Sequence, residues 1–240
     1  MVRHDIARNL PCMKRGWRGQ TPARDLGRRG LTPHVGSASS SRGAAANLQA
    51  LIDAVDRGTL DTRIAVVISN KAGAGGLERA RAAGIDTLVL DHRAYPTRDD
   101  YDRALAHELR SRQVSLVCLA GFMRLIGAPL LEAFPNAILN VHPSLLPAFP
   151  GVDAQRQALD HGVKASGATV HLVTGELDGG PIVMQSAVPV LDHDTPETLS
   201  ARILIEEHRI YPEAVRVILD GRWRVDGRRF RLVDGGTTRE

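Results

Sequence analysis

Two stretches of the chain carry side chains able to manage a proton and a developing negative charge. The first is Asn140-Val-His-Pro-Ser-Leu-Leu-Pro-Ala-Phe-Pro-Gly151. If the residues before Pro143 form a strand, alternate side chains share a face, so Asn140 and His142 point the same way while Val141 packs oppositely. Pro143 ends the ladder and places the pair at the carboxyl end of a strand, where open α/β sheets bind ligands. Pro147 and Pro150 stiffen the loop beyond. An amide donor and an imidazole on a rigid edge suit stabilisation of an oxyanion, with proton transfer close by. Taken alone, Asn-x-His also fits a strand-end histidine capping a turn.

The second stretch is Gly167-Ala-Thr-Val-His-Leu-Val-Thr-Gly-Glu-Leu-Asp-Gly-Gly-Pro181. A strand here runs into a loop where Asp178 precedes two glycines and a proline. Glycine permits the backbone angles that bring a carboxylate close to another loop, although Asp-Gly is also the commonest kind of turn. His171, inside the strand, reads by itself as a hydrogen-bonded core histidine. No cysteine–histidine spacing suggests a zinc site, and no metal is expected.

The elements that must hold these residues alternate between strand and helix from residue 47 onward. Leu48, Leu51, Ile52 and Val55 recur at helical spacing over Asn47–Val55. Strands are expected at Thr62–Ser69, Asp86–Leu90, Ser115–Ala120, Ala137–His142, Ala168–Val173 and Ile182–Val190. Helices are expected at Gly76–Ala83, Asp99–Arg112, Leu125–Phe134, near Asp153–His161, and from a Thr195 cap to about Asp220. The last holds Pro212, which should kink it. Arg222–Phe230 reads as a terminal hairpin. Continuously apolar strands alternating with helices predict an α/β fold with a mostly parallel, doubly wound, Rossmann-like sheet.

Composition narrows the class. The 240 residues are 43% hydrophobic, enough for one domain with a real core. Apolar runs are short, so no membrane partner is expected. Cys118 reads as a small buried residue, far in sequence from Cys12, which fits a reducing, cytoplasmic setting. The net charge of +4 is unevenly placed. Residues 1–46 hold nine Lys/Arg against two Asp/Glu, whereas the rest holds 22 against 25. The excess lies in a segment without apolar periodicity, which argues against nucleic acid as a partner.

Together the motifs resemble the formyltransferases that use 10-formyltetrahydrofolate, in the branch that formylates glycinamide ribonucleotide. The resemblance covers about residues 47–225. It rests on Ser69-Asn-Lys71, Gly76-Leu-Glu-Arg-Ala80, Gly121-Phe-Met-Arg124, the Asn140–Gly151 run, Leu177-Asp-Gly-Gly-Pro181 and Glu207-His-Arg-Ile-Tyr-Pro212. It implies direct transfer from 10-formyltetrahydrofolate to the ribonucleotide amine in purine biosynthesis, with Asn140, His142 and Asp178 catalytic. Asp178 would favour the protonated imidazole, because a nearby carboxylate raises a histidine pKa. Folate-binding positions are matched by Arg98, Met123, Arg124, Leu125, Ile126, Asn140 and the loop Thr174, Gly175, Glu176, Leu177 and Asp178. Ribonucleotide-binding positions are matched by Asn47, Leu204, Ile205, Glu206 and Glu207. Only small-molecule partners are implied, acting on a monomer or homodimer.

The chain departs from that family at its start. The family's first strand ends in a Gly-x-Gly-Ser-Asn turn that holds the substrate phosphate; here Asn47 and Gly43 match, while Ala45 and Ala46 replace the next glycine and serine. The stretch Ser37–Ala46 is too small and polar for a central strand, so the first strand is read as degraded. The domain boundaries expected are 1–46 for a basic segment, 47–230 for the formyltransferase domain and 231–240 for a tail. Codons for Ser37–Ala46 can be chosen so that a shifted frame reads Arg-Val-Leu-Val-Ser-Gly-Arg-Gly-Ser, the missing strand and turn. Residues 1–46 then read as out-of-frame translation. The alternatives are hydrolysis of 10-formyltetrahydrofolate, or a catalytically impaired remnant with an altered phosphate turn.

Overall fold

The computed structural model describes residues 30–35, 42–122 and 124–233. Expectations for residues 1–29, including Cys12, for 36–41, for Met123 and for the end of the tail lie outside the described residues. Nine strands form one sheet in the order β3-β2-β1-β4-β5-β6-β7-β9-β8. They are β1 Gly30–Val35, β2 Val67–Ser69, β3 Thr87–Val89, β4 Val114–Ala120, β5 Ile138–His142, β6 Ala165–Leu172, β7 Ile182–Pro189, β8 Trp223–Asp226 and β9 Arg229–Leu232. The helices are α1 Arg42–Asp56, α2 Gly75–Ala82, α3 Arg98–Ser111, α4 Ala128–Ala133, α5 Ala154–Asp160 and α6 Pro196–Asp220.

The expected loss of the first strand is corrected. Gly30–Val35 occupies the central position, parallel to β4 along its length and to β2 at His34↔Ile68. Its sequence, Gly-Leu-Thr-Pro-His-Val, carries Pro33 where an inner strand needs an N–H donor, so it reads poorly as a strand. It also lies farther upstream than the residues directly before the helix. Helix α1 likewise begins at Arg42, ahead of the expected boundary at residue 47.

The sheet is parallel from β3 to β5 and then reverses. Strands β5, β6 and β7 are antiparallel, which alternation of strand and helix does not reveal. Inner strands are buried on both faces, as β4 and β6 show along most of their length. Helix α1 packs against α2 and α6, and α3 against α4. From α6, the Tyr211 hydroxyl donates to the carbonyls of Leu119 on β4 and Leu139 on β5, at 2.8 and 3.3 Å. Cys118 is fully buried and unpaired.

Local chemistry explains the helix ends. Thr97 caps α3 by accepting from Asp100 N, and Asp99 and Asp100 fill its first turn. Thr195 and Thr198 form a complete capping box on α6, with threonine doing what glutamate usually does. Pro212 is absorbed inside α6, which is helical through to its left-handed C-cap at Gly221. The helix expected from Leu125 starts only at Ala128, because Gly127 is its extended N-cap and Pro129 suits a first turn. Leu125 and Ile126 therefore lie in a loop. No described helix is long and apolar enough to cross a membrane.

Candidate active site

Antiparallel pairing of β5 with β6 sets Asn140 opposite His171 and His142 opposite Thr169. The loop 173–181 between β6 and β7 then folds back so that Asp178 reaches both histidines. Its carboxylate lies 3.5 Å from His142 Nδ1 and 3.6 Å from His171 Nε2. It also accepts the Gly151 N–H at 2.8 Å, which joins the loop after β5 to the loop after β6. Asp178 adopts φ 48°, a left-handed conformation that aspartate tolerates better than most residues. Gly180 makes the return possible, since a Cβ there would collide with the Leu172 carbonyl oxygen.

His142 is almost fully buried, and both of its ring nitrogens face acceptors. Nε2–H donates to the Phe149 carbonyl at 2.9 Å, while Nδ1 faces the Asp178 carboxylate. The neutral ring thus sets a lone pair against a carboxylate, and a proton on Nδ1 would turn that contact into an ion pair. Burial works the other way and is the largest influence. It holds the His142 pKa below the ordinary imidazole value, although Asp178 and the Phe149 carbonyl pull it up. The expected upward push from Asp178 is present but outweighed in the resting site. For Asp178 itself burial pushes upward, yet the close approach of His171, the Gly151 N–H and the neighbouring imidazoles hold its carboxyl below the usual value.

His171 belongs to this cluster, which sequence reasoning missed. Its Nδ1–H donates to the Leu172 carbonyl at 3.1 Å, leaving Nε2 to accept from the Asn140 amide at 3.2 Å. The Asn140 side chain is thereby oriented with its nitrogen toward the cluster. The signal was available in the cross-strand register, had the reversal at β5 been recognised.

The other expected positions separate into groups. Arg98 opens α3, and the Arg124 guanidinium stands 5.4 Å from the centroid of the Tyr101 ring. Ile126 is buried, whereas Leu125, Val152 and Leu177 are exposed at 53%, 62% and 57%. Leu177 approaches Gly151, so apolar side chains stand on the loops that flank the Asn140–His142–Asp178 cluster. Glu176 is exposed, with its carboxylate 3.4 Å from Arg228, and its N–H donates to Thr174 Oγ1; Gly175 faces open space.

Asn47 and Glu207 meet although they are far apart in sequence: Asn47 Nδ2 donates to Glu207 Oε2 at 2.6 Å. Burial pushes the Glu207 carboxyl up, and the Asn47 amide partly offsets it. Asn47 Oδ1 is buried without a hydrogen-bond partner. The other three residues of α6 in the expected set lie elsewhere. Glu206 is engaged by Ser186 and Arg209, and Ile205 is 67% exposed on the outer face of α6, while Leu204 is half-buried.

An open α/β sheet with a topological switch between β1 and β4, carrying an Asn–His–Asp cluster on its strand ends and loops, defines a class of enzyme-like folds. The comparisons fix which. A family profile described as "Formyl transferase" matches residues 39–215, and the chain belongs to that family. It is 45% identical over 180 residues to phosphoribosylglycinamide formyltransferase of Escherichia coli strain K12, spanning 75% of this chain and 85% of the relative. It is also 45% identical to the trifunctional purine biosynthetic protein adenosine-3 of Gallus gallus over 75% of this chain, but spans only 18% of that much longer protein. The crystal structure of glycinamide ribonucleotide transformylase 1 from Symbiobacterium toebii superposes with a TM-score of 0.81 at 56% identity, covering 85% of this chain and 95% of that one.

Proposed function

We propose that this chain transfers the formyl group of 10-formyltetrahydrofolate to the amine of 5'-phosphoribosylglycinamide in purine biosynthesis. The observation that carries the reading is the convergence of Asn140, His142 and Asp178 on one nearly buried point. The amine nitrogen attacks the formyl carbon, a carbon–nitrogen bond forms, and the carbonyl oxygen becomes an oxyanion. Asn140 has a second amide hydrogen beyond the one given to His171, and it donates to that oxyanion. His142, carrying on Nδ1 a proton drawn from solvent and held there as an ion pair with Asp178, turns its Nε2–H from the Phe149 carbonyl to the same oxygen. A proton leaves the attacking amine and, through water beside Asp178, reaches N10 of the folate. The bond from the formyl carbon to N10 then breaks, releasing tetrahydrofolate and the formylated amide.

Arg98, Arg124 and the loops bearing Leu125 and Leu177 hold the folate, whose flat apolar body suits the exposed leucines and whose carboxylates suit the guanidiniums. Glu207 and Asn47 hold the ribonucleotide: a carboxylate and an unpartnered carbonyl are acceptors fitted to sugar hydroxyls. The N-terminus of α1, following the central strand β1, offers backbone N–H groups to the phosphate, and no acidic residue lies in its first turn.

The test is formyl transfer by this chain from 10-formyltetrahydrofolate, with and without the ribonucleotide amine. Formylated product that requires the amine supports the reading. Release of formate at the same rate without the amine sinks it in favour of hydrolysis.

A further inference from the structure

We propose that Asp102 is a positioning residue for folate capture, fastening the loop Arg124–Gly127 to α3 so that Arg98 and Arg124 act as a pair. The proposal rests on the reading that these two arginines hold the co-substrate. Asp102 is 1% exposed, and its Oδ2 accepts the Gly127 backbone N–H at 2.6 Å. A carboxylate so deeply buried is costly unless it is bonded and charge-compensated. Burial pushes its carboxyl up, and the Gly127 N–H followed by the guanidiniums of Arg98 and Arg124 offsets that push in part, with Asp99 opposing them.

The loop is held from a second side as well. The Arg124 guanidinium lies over the ring of Tyr101, the residue next to Asp102 on α3. Gly127 itself is locked in place: a Cβ there would stand 2.9 Å from Asp102 Oδ2, 2.9 Å from Asp99 Oδ1 and 3.4 Å from Arg98 Nε. One carboxylate therefore anchors the loop backbone and attracts both arginines, and its contacts lie outside the Asn140–His142–Asp178 cluster. Folates carry a glutamate with two carboxylates, and a pair of fixed guanidiniums recognises such groups better than two independent ones.

Two substrates separate positioning from plain stabilisation: 10-formyltetrahydrofolate, and 10-formyltetrahydropteroate, which lacks the glutamate. Asp102→Ala raises the KM for the first by on the order of tenfold, the loss of a buried charge-assisted bond, while kcat falls less than about threefold. The KM for the pteroate, whose flat body meets only Leu125 of this loop, rises by less than about threefold. Asp102→Asn keeps an acceptor for Gly127 N–H but not the charge that draws the arginines, and brings the folate KM back to within about threefold of wild type. Should Asp102→Ala not fold, Gly127→Ala displaces the same contact and gives the same split. Equal KM increases for both substrates, or a fall in kcat with unmoved KM, would overturn the proposal. A wild-type enzyme indifferent to the glutamate overturns the underlying folate assignment of Arg98 and Arg124, independently of Asp102.

Discussion

Replacing Asp178 with asparagine removes a charge while keeping the side chain's shape, so it isolates the electrostatic part of the proposed mechanism. The carboxylate lies 3.5 Å from His142 Nδ1. At an effective dielectric of about 20, a unit charge pair at that separation interacts by roughly 4–5 kcal/mol. The Asp178 side chain keeps a little solvent exposure, which trims the figure to about 4 kcal/mol. The same carboxylate oxygen faces His142 Nδ1 and accepts Gly151 N–H, so the amide of Asp178→Asn keeps its oxygen there and offers the imidazolium a dipole in place of a charge. If the imidazolium forms in the transition state, kcat for Asp178→Asn falls on the order of a thousandfold. The KM values stay within a few-fold, because neither substrate relies on this charge to bind. Gly151 N–H still finds an oxygen, so the melting temperature should move by only a few degrees. The assay is steady-state formyl transfer with thermal melting on the same preparation. A folded variant with kcat within tenfold of wild type refutes the reasoning and removes Asp178 from proton transfer.

Gly180→Ala places a Cβ against the Leu172 carbonyl, so it should cost stability by about 2 kcal/mol or more and cut kcat by displacing Asp178; a melt and turnover matching wild type would contradict this. Stability should fall as pH drops from about 7.5 to about 5.5, because His142, His92 and His208 all have folded pKa values lowered chiefly by burial. The unfolded chain then takes up protons first, near the ordinary imidazole value, and the contribution present above that pH is lost below it. A melting temperature that is flat or rising over this range would count against the buried neutral rings. Replacing Ala45 and Ala46, near the start of α1, with the glycine and serine of the family's turn should lower the KM for the ribonucleotide by about tenfold or more, through backbone N–H groups freed to face the phosphate. An unchanged KM would show that the existing turn already serves.

The residues proposed as catalytic were legible because their constraints are local. Period-two alternation put Asn140 and His142 on one face, Pro143 ended the strand, and Gly179-Gly180 marked the loop that brings Asp178 in. What stayed hidden depends on non-local pairing. His171 resembles a core histidine until β6 is known to run antiparallel to β5 with His171 opposite Asn140. The central strand was missed because Gly30–Val35 contains Pro33 and lies upstream of the segment next to α1; local propensity gave way to the open slot between β2 and β4. Leu125 and Ile126 have helical periodicity, yet Gly127 and Pro129 delay the helix. Asp102 gave no signal, since its partner is a backbone N–H 25 residues away.

Tyr211 and Glu207 sit one helical turn apart on the buried face of α6. Tyr211 is pinned to the carbonyl of Leu139, the residue before Asn140, and Glu207 meets Asn47 on α1. That turn of helix works as a ruler, setting how far the carboxylate that meets Asn47 stands from the strand bearing Asn140. A helical turn rises about 5.4 Å, and each residue rotates the helix by about 100°. One residue inserted between positions 207 and 211 would leave every side chain present but swing the carboxylate off the Asn47 face. The spacing along this helix is thus as much a part of the site as the residues themselves.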